Sequence, residues 1–377
     1  MKKIRIVPGL FPVAGIWLAL TLWCWLRPAD DISMSERRKL AQFPEANLEK
    51  ILSGTFAEDF EDYSRDQFPV RDGFRTLKSL WESAVFGQKD HHGIYIEDGY
   101  AANIEYPLDR ESVGRAAEKL TELYTEYMKG KTDRVWLSVI PDKGYYLADQ
   151  GGYPALDYEE LFSIMREKME FAEYLDLTEH LSAEDYYRTD SHWRQENITE
   201  AAQFLAESMG GHLSGVWRQE VVKEDFRGVY FGQAALPMEG ETISLLRGRV
   251  LDACRAYNLE TGKTAGIYDL EKLEGRDPYE VYLSGASPLI RITNPLHEGE
   301  RRLVLLGDSF SSSMAPLLAE AYSEITLVDI RYLDPSLVGE YVEFEGADVL
   351  FLYSVSLLNH SLSLIHISEP TRLALSS

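Results

Sequence analysis

The sequence predicts an α/β fold, a parallel sheet with helices on both faces, and three observations carry that expectation. Apolar runs of strand length, at 135–140, 302–306, 325–330 and 349–353, alternate with segments of helical apolar spacing. The run ending at Leu306 breaks at Gly307 and passes through small residues (Ser311, Ser312, Ser313) into a helical pattern. That is the kind of strand-to-helix junction at which open α/β sheets present their reactive groups. No internal repeat or low-complexity linker interrupts the series.

The elements follow in order. Residues 7–26 are uncharged and mostly apolar, and about 20 residues suffice for a helix to cross a bilayer. Lys2, Lys3 and Arg5 precede this run, which places the N-terminus in the cytoplasm and everything after Arg27 outside the cell membrane. The following Arg27-Pro28-Ala29-Asp30-Asp31 lacks a small-residue cleavage pattern, so a single-pass signal anchor is expected. Residues 56–63 and 75–86 carry helical spacing, and 93–96 with Asp98-Gly99 reads as a hairpin. Helices are expected at 111–128 (Val113, Leu120, Leu123, Met128) and 158–171, and strands at 135–140 and 174–177. A helix at 195–209 places Ile198, Ala201, Ala202 and Leu205 on one face and stops at Gly210-Gly211. From 212 to 298 short alternating runs punctuated by glycine predict a mostly β insertion. The closing series is strand 302–306, helix 313–322 with Pro316 in its first turn, strand 325–330, helix 335–344 and strand 349–353.

Three segments are thus expected: a cytoplasmic N-terminus and anchor (1–30), an extracellular domain (31–361) and a tail (362–377). The tail, from Leu362-Ser363-Leu364 to Thr371-Arg372, resembles a translated DNA-library adapter. It is therefore set outside the native chain, and His366 with it.

Composition narrows the function. The chain has 377 residues, 45% hydrophobic and 27% charged, enough for a sizeable core. A formal net charge of -24 excludes nucleic acid bound through a general electrostatic field, while a neutral glycan stays compatible. The two cysteines, Cys24 and Cys254, have no disulfide or metal spacing. His91 and His92 beside Asp90 lack a further clustered ligand, so neither a metal nor another cofactor is expected.

Two short motifs carry the chemistry. Thr189-Asp190-Ser191-His192-Trp193 holds a carboxylate and an imidazole two residues apart, which share a side if the segment is extended. Leu305-Leu306-Gly307-Asp308-Ser309-Phe310 puts Ser309 on the turn out of a strand, where N–H groups of the helix start can stabilise an oxyanion. A serine hydroxyl needs a base, and a histidine held by a carboxylate is the usual one, so Ser309, His192 and Asp190 are the expected nucleophile, base and orienting acid. Gly307 and Asp308 are assigned to the turn. Arg331, Tyr332 and Lys143, at strand ends on the edge of Ser309, are candidate contacts for acyl donor or glycan, and Trp193 could stack on a sugar or pack in the core.

Together these motifs resemble the DHHW family, relatives of the AlgX and AlgJ alginate O-acetyltransferases in the SGNH hydrolase-like group. The resemblance extends to Glu36-Arg37-Arg38-Lys39-Leu40-Ala41-Gln42-Phe43-Pro44, to the stretch from Tyr63 to Asp72, and to Pro141-Asp142-Lys143, covering about Ser35 to Asn359. Ser191 stands where the family name quotes a histidine; in an extended segment it points away from Asp190 and His192. The Asp and His precede the Ser, a permuted order compatible with triad geometry. The resemblance implies O-acetyl transfer onto an extracellular polysaccharide through an acyl-Ser309 intermediate, with acyl groups supplied by a membrane-bound O-acyltransferase. A carbohydrate esterase using the same triad, and a non-catalytic glycan-binding or assembly protein of the same fold, are the alternatives.

Overall fold

The computed structural model describes residues 10–361, so the expectation for the 362–377 tail lies outside the described residues. The chain divides into two compact units, one running to His92 and including Phe231–Pro237, the other formed by Gly93–Tyr230 and the chain from Met238 onward. Residues 31–361, read from the sequence as one domain, are distributed over both.

The first unit is helical. Its apolar segment forms the helix Leu10–Leu26 of 17 residues. Such a helix rises about 26 Å, short of the about 30 Å hydrocarbon thickness. Among the described residues no helix is long and apolar enough to cross a membrane. Residues 7–9 of the expected anchor lie outside the described residues. Helices Thr55–Asp66 and Arg71–Phe86 follow. Charged residues of the two N-terminal signatures meet here, joined by Arg75: Glu36 pairs with Arg71 at 2.6 Å, Arg75 at 3.2 Å and Arg38 at 3.3 Å, and Arg38 also reaches Asp66 at 2.6 Å. These spacings reflect an ion-pair network that ties the chain at Glu36 to the two helices.

The second unit is built on one eight-stranded sheet. Its strands in chain order are β1 (Val135–Ile140), β2 (Glu173–Tyr174), β3 (Arg255–Asn258), β4 (Lys263–Ala265), β5 (Leu289–Thr293), β6 (Arg302–Gly307), β7 (Glu324–Val328) and β8 (Asp348–Ser354). Their spatial order is β4-β3-β5-β7-β6-β8-β1-β2. From β7 to β2 neighbouring strands are parallel, as the buried runs predict. Beyond β7 the strands β5, β3 and β4 add antiparallel. These three come from the expected insertion, so that region extends the main sheet and makes it mixed. The remaining insertion strands, Arg218–Phe226 and Glu241–Arg247, pair as a separate antiparallel hairpin.

Side chains alternate between two cores, one on each sheet face. Leu303, Leu305, Leu350 and Leu352 pack with Leu205, Met314 and Leu318 on one face. Val304, Leu306, Val349 and Phe351 pack with Leu120, Leu161 and Met165 on the other. The covering helices are Thr199–Ser208 and Ser311–Leu318 on the first face, and Arg110–Leu123 and Tyr158–Lys168 on the second. The helix after β6 starts at Ser311, two residues earlier than its apolar pattern, so Pro316 lies inside it. A 3-10 turn takes over at Ala319. Among the helices invisible to apolar spacing is Lys143–Gly151, capped by the Asp142 carboxylate accepting the Tyr145 N–H.

Candidate active site

Strand β6 runs between β7 and β8, so the turn that leaves it sits at the middle of the sheet's carboxyl edge. Gly307 ends the strand because nothing larger fits: a Cβ there would lie 2.1 Å from Ser311 Oγ and 2.7 Å from the Leu352 carbonyl oxygen. Asp308 is buried and fixes the turn, accepting from the Phe310 N–H at 3.1 Å and from the Ser354 N–H and hydroxyl at 2.9 and 2.7 Å. It is a turn acceptor tied to the end of β8. Ser309 emerges half-buried between Asp308 and Phe310.

The N–H groups of the helix start are used inside the turn. Phe310 donates to the Asp308 carboxylate, Ser311 to the Asp308 carbonyl at 3.0 Å and Ser312 to the Ser309 carbonyl at 3.2 Å. These three N–H groups are therefore satisfied within the turn and are not the donors expected to face an oxyanion.

The second motif is brought against the first. His192 Nε2 lies 2.8 Å from Ser309 Oγ, and His192 Nδ1 lies 2.7 Å from Asp190 Oδ1. With the Nδ1 proton held by the carboxylate, Nε2 is the acceptor for the serine hydroxyl. Asp190 is fully buried, while the His192 side chain is 12% exposed. The segment is not extended: residues 188–192 form a bend closed by the bridge between Tyr186 and Trp193. Asp190 reaches the imidazole because its carboxylate also accepts the His192 N–H at 3.2 Å, an Asx turn. In this bend Ser191 does not point away, its hydroxyl lying 3.4 Å from Asp190 Oδ1 and 3.5 Å from His192 Nδ1.

The insertion supplies supports that the sequence did not reveal. Asp190 Oδ2 accepts the Val229 N–H at 3.0 Å. Gly228 makes that approach possible, since a Cβ on it would fall 2.3 Å from Asp190 Cβ. Glu241 accepts the N–H groups of Arg188 and Thr189 at 2.9 and 2.8 Å and the Thr189 hydroxyl at 2.6 Å. Tyr279 stacks on His192 with ring centroids 4.0 Å apart, and its hydroxyl meets Ser313 Oγ at 2.8 Å. Burial holds the Tyr279 phenol well above its ordinary value, so it stays neutral. Partners 37 to 87 residues from His192 in sequence, all within the Gly-punctuated insertion, obey no spacing rule that periodicity can detect.

The remaining sequence candidates separate. Lys143 is 2% exposed and directs its ammonium at backbone carbonyls of the Asp190 loop, which removes it as a glycan contact. Burial pushes it down to about 7, against the opposing pull of Asp190, Glu241 and Asp142. Trp193 is fully buried and donates to the Phe310 carbonyl at 3.2 Å and Ser313 Oγ at 2.8 Å. It cannot stack on a sugar; it joins the base loop to the nucleophile helix. Arg331 follows β7 on the same sheet edge as Ser309, and its guanidinium grips Asp329 at 2.6 Å. Tyr332 beside it is 42% exposed, with the Arg331 guanidinium 5.4 Å from its ring centroid. His91 is buried and bonded to Ser83 Oγ at 2.8 Å.

Among solved structures the chain is similar to a DHHW family protein from Eubacterium siraeum, with a TM-score of 0.59 and 19% identity over 73% of this chain and 95% of that one. The chain has a DHHW-type fold. Bacillus cereus PatB1, solved with a sulfonyl adduct, is similar at a TM-score of 0.55 and 17% identity, covering 70% of this chain and 97% of that one. The O-acetyltransferase domain of Pseudomonas putida AlgJ is more distant, with a TM-score of 0.43 and 12% identity over 71% of this chain and 92% of that one. No family profile and no curated protein matches the sequence. The DHHW-type resemblance read from the two motifs therefore has its counterpart in three dimensions.

Proposed function

We propose that this protein is a serine acyl-ester enzyme that transfers an acetyl group to a hydroxyl of a cell-surface or secreted polysaccharide through an acyl-Ser309 intermediate. The observation that carries the reading is the unbroken chain of hydrogen bonds from Asp190 through His192 to Ser309, at 2.7 and 2.8 Å. His192 Nε2 takes the hydroxyl proton as Ser309 Oγ attacks the acyl carbonyl. Asp190 stays ionised and stabilises the imidazolium. Collapse of the tetrahedral intermediate breaks the bond to the leaving group, which takes the proton from His192. A glycan hydroxyl then gives its proton to His192 and attacks the acyl ester, and the proton returns to Ser309.

The choice of transfer and of a polysaccharide acceptor is supported by the motif resemblance to the AlgX and AlgJ group. The apolar run 7–26 behind Lys2, Lys3 and Arg5 supports a membrane tether for an extracellular catalytic unit, and the motif resemblance supports a membrane-bound O-acyltransferase as the source of the acyl group. The test incubates the full chain in detergent with p-nitrophenyl acetate, with and without neutral and acidic glycans, and reads acetyl on the Ser309 peptide by mass spectrometry. Acetyl-Ser309 that is discharged faster by a glycan than by water is expected. No adduct, together with equal turnover by Ser309→Ala, overturns the reading, and discharge to water alone makes the protein an esterase.

A further inference from the structure

The backbone between Tyr187 and Asp190 is held from two sides by opposite charges. The Lys143 ammonium donates to the carbonyl oxygens of Tyr187 at 2.7 Å and Asp190 at 2.8 Å, with that of Arg188 at 3.4 Å. The Glu241 carboxylate takes the N–H groups of Arg188 and Thr189 and the Thr189 hydroxyl, all within 2.9 Å. A loop whose carbonyls meet a cation and whose amides meet an anion has its backbone polarity satisfied without secondary structure. Neither charge belongs to the loop. Lys143 opens the helix Lys143–Gly151 directly after β1, and Glu241 opens a strand of the insertion hairpin.

We propose that Lys143 and Glu241 are positioning residues that clamp the 187–190 backbone so that the Asp190 carboxylate, and through it the His192 imidazole, is aimed at Ser309. The inference rests on the serine-enzyme reading and adds to it the device that sets the base. Both act through the loop: their hydrogen bonds go to the 187–190 backbone and the Thr189 hydroxyl. Their position explains two features at once: a buried lysine whose ammonium donates to three carbonyl oxygens of one loop, and an insertion hairpin that ends beside that loop. The charged and titratable groups around Lys143 are Asp190, Glu241 and Asp142, with the Tyr230 ring 5.1 Å from its nitrogen. With the ammonium held down to about 7 by burial, the clamp loses its cation as pH rises through that value, which gives the rate an alkaline limb.

The experiment uses the full chain in detergent and phenylmethanesulfonyl fluoride as a probe of Ser309, followed by intact mass across pH, beside kcat and KM for p-nitrophenyl acetate. Lys143→Met and Glu241→Gln are each expected to slow sulfonylation of Ser309 and to lower kcat by about tenfold or more, with KM within about twofold. The double variant is expected to lose much less than the product of the two single losses, because both act on one loop. Lys143→Met is also expected to lack the alkaline limb of the wild-type profile. Circular dichroism and melting identify the folded fraction, to which rates are normalised. Lys143→Met that is sulfonylated at the wild-type rate, or that raises KM alone, or that loses melting temperature while its folded fraction reacts normally, overturns the clamp. Wild-type protein that is not sulfonylated at Ser309 overturns the serine-enzyme reading and the clamp with it, so the two failures are told apart.

Discussion

Tyr279 lies flat against His192, the ring centroids 4.0 Å and the planes 14° apart. The tyrosine comes from a short 3-10 helix, Pro278–Val281, inside the insertion, and its hydroxyl is anchored on Ser313 of the nucleophile helix. One ring thus wedges the base against the element that carries Ser309. The insertion is part of the site rather than a decoration of the sheet.

Tyr279→Leu keeps most of the volume but removes the flat wall and the hydroxyl. It is expected to lower kcat for an aryl acetate by about tenfold with little change in KM. Tyr279→Phe keeps the wall and loses one buried hydrogen bond, so it should cost about 1 kcal/mol of stability and leave kcat within about twofold. Steady-state kinetics and denaturant melts on the two variants check the pair.

Asp190→Asn is expected to fold and to lose about 1,000-fold or more in kcat. Both carboxylate oxygens accept, Oδ1 from His192 and Oδ2 from the Val229 N–H. An amide must present its NH2 to one of these donors, which forces either the wrong imidazole tautomer or an unpaired Val229 N–H. Turnover measured beside an unchanged circular dichroism spectrum is the check.

Gly228→Ala and Gly307→Ala should fail for steric reasons rather than through loss of conformational freedom. The added Cβ would lie 2.3 Å from Asp190 Cβ in the first case and 2.1 Å from Ser311 Oγ in the second. Each is expected to destabilise by about 1–3 kcal/mol and to reduce sulfonylation of Ser309 in the folded protein. Thermal melts with mass-spectrometric labelling read both effects.

Stability and activity are expected to part company on the alkaline side. Lys143 has a folded-state value of about 7 against an ordinary 10.5, so between these limits the unfolded chain binds a proton that the folded chain does not. Stability contributed by this group therefore rises with pH across that window, and below about 7 its full penalty applies. The clamp predicts the opposite trend for the rate. Denaturant melts at pH 7 and pH 9, compared with Lys143→Met, isolate the lysine's share; the variant should be less dependent on pH.

The central strands of the parallel sheet were legible because burial on both faces writes itself as a short apolar run, as in Val135–Ile140, which the structure reproduces at both ends, whereas the edge strand expected at 174–177 is only Glu173–Tyr174 and is not buried. The helix after β6 was legible in kind but not in start, since Ser311 and Ser312 carry no apolar signal yet are buried. Helix Lys143–Gly151 was missed because Lys143, Gly144, Tyr145 and Tyr146 mix polar, small and aromatic side chains within one turn. The insertion showed its β character but not its attachment, because edge pairing with β7 depends on a partner strand that follows it in sequence.

The sequence by itself determined the chemistry on offer: a serine at the end of a buried strand, and a carboxylate and an imidazole two residues apart. Those are near-neighbour facts, set by turn sterics and by the reach of one side chain to the next. Only the tertiary structure decided that they meet, 117 residues apart, at 2.8 Å. It also decided that a bend rather than a strand carries Asp190 and His192, that Lys143 serves the loop and that Trp193 serves the core. The reason is that orientation depends on which distant groups satisfy a loop's backbone and wall its side chains, and Glu241, Val229 and Tyr279 are brought to the base and its loop by the insertion, 37 to 87 residues away in sequence.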